Sequence, residues 1–213
     1  MLNSVSLLLA MLTCGQAKPE TPGASFLRDY AQTRGFSLGR PVKATPTPDG
    51  KAVLFLRSGP RVAKLGLYEF DVASGKTREL LTPEQVLKGA EEKLTPEEKA
   101  RRERQRISVG GFTGFQISDD GKLILLSLSG RLYVVTRGNN QVRELKTGPG
   151  VVDPKFSPDG AKVSYVRDYD VYIYDLAAEQ ENQLTQGGRA LLSHGLAEFV
   201  AQEEMNRFTG YWW

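Results

Sequence analysis

The residues of this chain best suited to chemistry are two adjacent carboxylates near its end, Glu203 and Glu204. An ammonium group has three N–H donors and gains a charge-assisted hydrogen bond from each carboxylate oxygen that it meets. The two glutamates could therefore hold one ammonium between them. Because consecutive residues of a helix diverge by about 100°, the pair converges only at a helix end or in a kinked turn. The ordinary alternative is a solvated surface doublet.

A cluster of arginines forms a second candidate site. Charges of opposite sign three or four residues apart pair on a helix surface, so a solvated helix accounts for the first three arginines of the cluster. Arg106 stands last, shortly before Gly110-Gly111, where its guanidinium could hydrogen-bond a carbonyl or carboxylate of a ligand. The cluster consists of Arg101, Arg102, Arg104 and Arg106, interleaved with Glu97, Glu98 and Glu103.

The residues that the sequence lacks exclude most other kinds of site. One Cys and one His can form neither a zinc site built on those residue types nor an internal disulfide. His194 is the only imidazole, it lies in a Ser-His-Gly turn without a neighbouring nucleophile, and no serine stands in a Gly-x-Ser-x-Gly elbow. We therefore predict no catalytic residue, no metal site and no cofactor for this sequence.

The composition is that of an ordinary globular protein. Of the 213 residues, 40% are hydrophobic and 25% are charged. The 28 Lys and Arg against 25 Asp and Glu leave a net charge of only +3, and the basic residues are interleaved with acids. An extended phosphate-binding surface needs an excess of clustered positive charge. We therefore predict no nucleic-acid partner.

The first residues resemble an export signal. The apolar run from Val5 to Thr13 is too short to span a bilayer but suits a signal-peptide core. Gly15-Gln16-Ala17 places small residues where a signal peptidase reads, although Met1-Leu2-Asn3 lacks the usual positive charge. We predict a signal peptide over residues 1–17, removal of Cys14 with it, and an exported protein, either periplasmic or secreted. A buried N-terminal segment is the alternative.

After the signal, residues 18–43 are predicted to hold a proline-containing linker and one short helix. Ser25 has the character of an N-cap, and Gly35 would end the helix after Arg34. We expect this helix, from Phe26 to Arg34, to pack against the first strands of the domain that follows.

The body of the chain repeats one β unit three times. Each copy starts with a turn that ends in Asp-Gly, at Gly50, Gly121 and Gly160. An apolar strand, a strand with a Tyr and a short strand ending in Leu-Thr or its equivalent follow in each copy. Units of about 40 residues with three or four strands are typical of β-propeller blades. We predict an all-β fold over residues 44–213, an incomplete propeller of three to four blades with inserted short helices.

The first two copies are separated by an additional segment of about 30 residues, and it has helical signals. Thr82-Pro83-Glu84-Gln85 and Thr95-Pro96-Glu97-Glu98 both have the form of a capping box. We predict a helical insert over residues 83–107, with a charged helix from Pro96 to Ile107 that has almost no apolar face and projects from the propeller. A further short helix, residues 196–205, would carry the two glutamates.

At this point the sequence resembles a known family. The run Glu-Phe-Val-Ala-Gln-Glu-Glu-Met-Asn-Arg-Phe-Thr-Gly-Tyr-Trp-Trp, residues 198–213, closely resembles the glutamate-pair segment of the dipeptidyl peptidase IV family of serine exopeptidases. Residues 97–106 are similar to that family's arginine-bearing helix. Residues 26–30, with Gly39-Arg40-Pro41, resemble the start of its mature bacterial members. The resemblance covers essentially everything after the predicted signal.

The resemblance implies a specific role for each candidate residue. In that family a propeller caps an α/β-hydrolase domain, and two glutamates hold the free N-terminal ammonium of the peptide substrate. By the match, Glu203 and Glu204 would place the second peptide bond at the nucleophile, and Arg106 would orient a substrate carbonyl. Binding energy used in this way fixes the geometry for attack. The implied activity is release of N-terminal dipeptides, commonly with proline in second place.

The sequence departs from the family after Trp213. Family members continue with further blades and a hydrolase domain that carries Ser, Asp and His. We therefore expect the chain to be an N-terminal propeller portion truncated before the catalytic domain, so whether it belongs to an enzyme is left open. Its partners would be the peptide N-terminus and the missing C-terminal α/β-hydrolase domain, and the intact enzyme could form a homodimer. The alternative is a non-enzymatic periplasmic β-propeller that binds peptides or proteins.

Overall fold

The computed structural model describes residues 23–213. The predicted signal peptide, residues 1–17, and the first part of the linker lie outside the described residues. Among the described residues, no helix combines the length and the apolar character needed to cross a membrane.

Three antiparallel sheets with four strands in each meander follow one another over residues 42–183. Blade 1 consists of β1 (Val42–Pro46), β2 (Ala52–Ser58), β3 (Lys64–Asp71) and β4 (Thr77–Leu81). Blade 2 consists of β6 (Phe115–Ile117), β7 (Leu123–Leu128), β8 (Arg131–Thr136) and β9 (Gln141–Glu144). Blade 3 consists of β10 (Val152–Phe156), β11 (Lys162–Arg167), β12 (Asp170–Asp175) and β13 (Gln180–Gln183). The short β5 (Gly110–Gly111) pairs in parallel with the start of β3.

The Asp-Gly turns have the same hydrogen bonds in all three blades. In blade 2, Ser118 Oγ donates to Asp120 Oδ1 at 2.7 Å and accepts from the backbone N–H of Leu123 at 2.9 Å. Thr47 and Ser157 bond in the same way in the other two blades. The turn glycines have φ between 66° and 73°, where a side chain would be strained. The repeated sequence therefore specifies the hairpin between the first two strands of each blade.

The core lies between the blades, on the middle strands. Along β7, Ile124 and Leu126 face blade 1, whereas Leu125 packs with the residues of blade 3. This alternation follows from the two-residue period of a strand, with both faces buried between neighbouring blades. Leu54, Leu56 and other fully buried residues complete the layer between blades 1 and 2.

The predicted fold class, all-β with a partial propeller of three to four blades and inserted short helices, is confirmed. The first strand of each blade, β1, β6 and β10, was not located from the sequence, and the closing strands of blades 2 and 3 end before the predicted Leu-Thr positions. Residues 23–213 also form four short helices. They are α1 (Ala24–Gln32), α2 (Pro83–Val86), α3 (Pro96–Arg104) and α4 (Phe199–Glu204).

The expectation that the charged helix projects from the propeller is wrong. One side of α3 is buried against the propeller, and ion pairs instead of apolar contacts hold it there. Arg102 Nη2 lies 2.6 Å from both Glu92 Oε1 and Glu98 Oε1, and all three side chains are nearly buried. Glu98 Oε2 also accepts a hydrogen bond from the backbone N–H of Gly130, at 2.9 Å. Charge pairing satisfies the buried groups and holds α3 against blade 2.

The helix caps are partly as predicted. Thr82 and Gln85 form the predicted capping box at α2. Thr95 accepts a hydrogen bond from the N–H of Glu98, but the reciprocal bond is absent because the Glu98 carboxylate is in the Arg102 network. The prediction that Ser25 caps α1 is wrong, since the helix begins after Gly23. In place of apolar packing, the Arg61 Nη2 ion pair with Asp29 at 2.6 Å ties α1 to the segment after β2.

Candidate functional site

The helix that carries Glu203 and Glu204 is short and held at its N-terminal end. The Glu198 carboxylate caps α4 and accepts hydrogen bonds from the N–H groups of Val200 and Ala201, at 2.7 and 2.8 Å. Ala201 is fully buried and anchors the inner side of the helix. A helix of only six residues depends on such contacts, because it gains little stability from its own hydrogen bonds.

Glu203 and Glu204 are the last two residues of α4, and both are exposed. The chain turns directly after them, with Asn206 at a φ of 51°, a conformation that Asn tolerates better than most residues. They therefore lie at a helix end, the setting that an approach of two adjacent carboxylates to one cation requires.

Arg104 is the residue of α3 that the structure brings to the glutamates. Its Nη1 donates a hydrogen bond to Gln202 Oε1 at 3.0 Å, and its Nε lies 3.9 Å from Glu203 Oε1. Its guanidinium carbon is 5.7 Å from the centre of the Phe199 ring. Sequence reasoning assigned Arg104 to a solvated helix face. The sequence alone does not show that Phe199 and Gln202 of α4 lie next to Arg104, so this contact was not predicted.

Arg106 lies just after α3 in a strained position. It adopts the left-handed conformation, with a φ of 53°. The N–H of Ile107 bonds to the carbonyl of Arg102, and the N–H of Arg106 bonds to the carbonyl of Glu103. This is the Schellman arrangement, in which glycine usually takes the position that Arg106 occupies. Within residues 23–213, no hydrogen bond or ion pair joins the Arg106 side chain to either glutamate, so its role stays a prediction.

A cleft opens between α3 and α4. Its volume is about 220 Å³, and its floor belongs to blade 3. Arg104 and Gln202 form one wall together, and Val152, Val166 and Phe208 supply apolar surface. A mixed lining of this kind suits a short peptide, whose apolar side chains and polar backbone both need partners.

The segment after α4 is fastened to the first strand of blade 3. The Thr209 hydroxyl lies 2.6 Å from Asp153 Oδ2, and the Tyr211 hydroxyl donates to the Asp153 carbonyl at 2.7 Å. Burial raises the pKa of the Tyr211 phenol, so it stays protonated and can donate. The ammonium of Lys155 lies 3.4 Å from the centre of the Tyr211 ring. These contacts hold α4 over the cleft.

The single histidine has a structural role. His194 Nδ1 lies 2.7 Å from Asp170 Oδ1, which also accepts a hydrogen bond from the Thr185 hydroxyl at 2.8 Å. The hydrogen bond with His194 has the largest effect in lowering the pKa of the Asp170 carboxyl, and the bond from Thr185 lowers it further. The pair ties the segment before α4 to the start of β12. Within residues 23–213, no group of three or more acidic, His or Cys side chains is placed to hold a metal ion.

Comparisons with known proteins agree with this architecture. Residues 118–213 match the family model described as "Dipeptidyl peptidase IV (DPP IV) N-terminal region". Human dipeptidyl peptidase 8 is 29% identical over 135 residues, which cover 55% of this chain and 15% of the human protein. Mouse dipeptidyl peptidase 8 is 28% identical over the same length. The alignments cover 15% of each curated relative, so the chain spans about a seventh of their length.

The fold is also similar to that of a solved structure. The crystal structure of Porphyromonas gingivalis dipeptidyl peptidase 4 superposes with a TM-score of 0.53 and 22% identity, covering 90% of this chain and 25% of that one. The family-model match begins at the Asp-Gly turn of blade 2 and includes α4 with both glutamates. The family-model match and the curated relatives therefore support the resemblance of this chain to the N-terminal region of the dipeptidyl peptidase IV family.

Proposed function

We propose that this chain is the N-terminal propeller portion of an exported serine exopeptidase of the dipeptidyl peptidase IV type. In this role it holds the free N-terminus of a peptide so that an N-terminal dipeptide is released. Glu203 and Glu204 bind the substrate ammonium, and Arg106 orients a substrate carbonyl. The hydrolase chemistry belongs to a C-terminal α/β-hydrolase domain that the sequence does not contain.

One observation carries the proposal: the two adjacent carboxylates lie exposed at the end of a fastened helix. The one ion pair that they form in the described part of the chain is with Arg104, whose Nε is 3.9 Å from Glu203 Oε1. An exposed contact at that distance contributes little and leaves most hydrogen-bonding capacity of the carboxylates unused. An ammonium of a peptide N-terminus has the charge and the donors to use it.

The cleft between α3 and α4 supports the same proposal. A peptide whose ammonium lies at the end of α4 has the cleft beside it, where Val152 and Phe208 supply apolar contact. Arg106 follows α3 directly and is exposed, so its guanidinium is available to a carbonyl of the same peptide.

The test is made on the full-length protein. Glu203→Gln and Glu204→Gln keep the size of each side chain and remove its charge. Each is expected to lower kcat/KM for dipeptide release at least about tenfold, because a charge-assisted hydrogen bond contributes about 1.5–3 kcal/mol. Labelling of the active-site serine by a fluorophosphonate is the control for an intact hydrolase domain.

Unchanged dipeptide release in the double variant would contradict the role of the glutamates. A full-length protein that binds peptides, releases no dipeptide and has no serine that reacts with the fluorophosphonate would support the non-enzymatic propeller instead.

A further inference from the structure

A second cavity lies where the first strands of the three blades approach one another. Its volume is about 160 Å³. Lys43 of β1, Gln116 of β6 and Asp153 of β10 line it from the three blades, and Arg101 and Gln105 enter it from the α3 side. Lys43 lines this cavity only, whereas Arg101 also borders the cleft between α3 and α4.

Two equivalent irregularities place charged residues at this cavity. The register of β1 with β2 shifts between Val42 and Thr45, and that of β10 with β11 shifts between Val152 and Lys155. Within these shifts, Lys43 and Asp153 have φ values of 54° and 51°. Left-handed backbone is uncommon for such residues, and bulges of this kind redirect side chains. Blades 1 and 3 thus bulge at corresponding positions and contribute a charge each.

The one carboxylate of the cavity is already neutralised. Asp153 Oδ2 lies 2.6 Å from Lys155 Nζ and 2.6 Å from the Thr209 hydroxyl, and both charged side chains are largely buried. Asp153 therefore has little capacity left to balance further positive charge.

The two remaining cations of the cavity lack hydrogen-bond partners. Within residues 23–213, no group accepts a hydrogen bond or forms an ion pair with Lys43 Nζ or with the half-buried Arg101 guanidinium. Desolvation and then the positive charge of Arg101 lower the pKa of Lys43. Asp153 and Glu98 act on Arg101 through their charge alone, without a hydrogen bond or ion pair. Two like charges that face one cavity without a hydrogen-bonded counter-charge are unfavourable for folding, and a bound anion would relieve this.

We propose that this cavity binds an oxyanion, the carboxylate or phosphate group of a small ligand, between Lys43 and Arg101. The planar guanidinium of Arg101 offers paired N–H donors to two oxygens, and the Lys43 ammonium adds a point charge. Gly114 leaves room beside Lys43, since a Cβ there would lie 3.5 Å from Nζ. Gln105 supplies an amide at the rim of the cavity.

The test is calorimetric titration of the purified protein, in a buffer without phosphate or sulfate, with two probes. Inorganic phosphate represents a free ion, and N-acetylglutamate represents the carboxylates of an acidic peptide. Neither probe has an ammonium group, so their binding does not depend on Glu203 and Glu204. The proposal and the proposed function can therefore fail independently.

We expect at least one probe to bind, and both Lys43→Gln and Arg101→Gln to weaken that binding about tenfold, the loss of one charge-assisted hydrogen bond. The matched exposed controls Lys51→Gln and Arg40→Gln should keep the original affinity. Preference for phosphate over N-acetylglutamate, or the reverse, identifies the source of the anion.

A second readout guards against variants that merely unfold. Because each substitution removes one of two facing like charges, Lys43→Gln should unfold at the same temperature as the original protein or at a higher one in the anion-free buffer. Failure of both probes to bind the original protein, or equal binding by the pocket variants and their controls, would overturn the proposal.

Discussion

Arg104, the last residue of α3, donates a hydrogen bond from Nη1 to Oε1 of Gln202 on α4, 3.0 Å away. The two residues are 98 positions apart in the sequence. The helix α3 belongs to the insert between blades 1 and 2, whereas α4 follows blade 3. This bond therefore joins the two inserts that carry Arg106 and the glutamate pair. Arg104 acts as a positioning residue for α4, with its charge also near Glu203.

Removing this link should loosen α4 without unfolding the protein. Arg104→Met retains an apolar chain beside Phe199 but loses the hydrogen bond and the charge. A partly exposed hydrogen bond contributes about 0.5–1 kcal/mol, so backbone amides of α4 should exchange hydrogen about two- to fivefold faster. Hydrogen-exchange mass spectrometry measures this. Arg40→Met is the control, and equal exchange in both variants would show that Arg104 does not hold α4.

Because the backbone is strained at Arg106, the effect of its conformation on stability can be measured separately from the effect of its side chain on peptide binding. Glycine adopts the left-handed position at lower cost, so Arg106→Gly should raise the free energy of unfolding by about 0.5–1 kcal/mol, whereas Arg106→Ala should not. Urea denaturation measures this difference. Both variants lack the guanidinium and should bind a peptide with a free N-terminus equally weakly.

A stabilised Arg106→Gly variant that keeps full peptide affinity would mean that the arginine does not contact the ligand. A destabilised one would contradict the helix-termination geometry described for α3.

The Asp-Gly turn of blade 2 should make stability depend on acid. Hydrogen bonds from the backbone N–H of Lys122 and from Ser118 lower the pKa of Asp120 to about 2, against about 3.9 in an unfolded chain. A carboxyl with a depressed folded pKa stabilises the fold above its unfolded pKa, and this contribution is lost as pH falls from about 4 to about 2.

Asp120→Asn should therefore be less stable than the original protein at pH 7, and the difference should shrink on acidification through that window. The neighbouring exposed Asp119 is the matched control, because Asp119→Asn leaves the turn hydrogen bonds intact. Urea midpoints at several pH values measure both. A constant difference between Asp120→Asn and the original protein down to pH 2 would contradict the turn assignment.

The blades could be predicted because their turns are specified locally. In blade 2, Ser118 and Asp120 form hydrogen bonds with backbone groups at most five residues away. The local pattern of Ser or Thr two residues before Asp is therefore sufficient to define the hairpin. The first strand of each blade was missed for the opposite reason. Residues Val42–Pro46 are mostly exposed and contain no clear alternation, and their pairing with β2 depends on the rest of the sheet.

The packing of α3 and the contacts of α4 depend on distant residues. Nothing around Arg102 indicates that Glu92, ten positions earlier, returns to pair with it in a buried setting. The Arg104 contact with Gln202 joins residues 98 positions apart, about half of the described chain. The glutamates were identified by their adjacency and by the family resemblance, whereas the anchoring of their helix by Glu198 and Ala201 required the structure.

The central claim is that Glu203 and Glu204 recognise the free ammonium of a peptide. The most direct measurement compares the affinity of the protein for Ala-Pro-Ala with that for N-acetyl-Ala-Pro-Ala, in the original protein, in the double variant Glu203→Gln/Glu204→Gln and in the exposed control Glu91→Gln. We predict that the original protein and the control prefer the free peptide by about tenfold or more, and that the double variant shows no preference. A preference of the same size in the double variant would contradict the account.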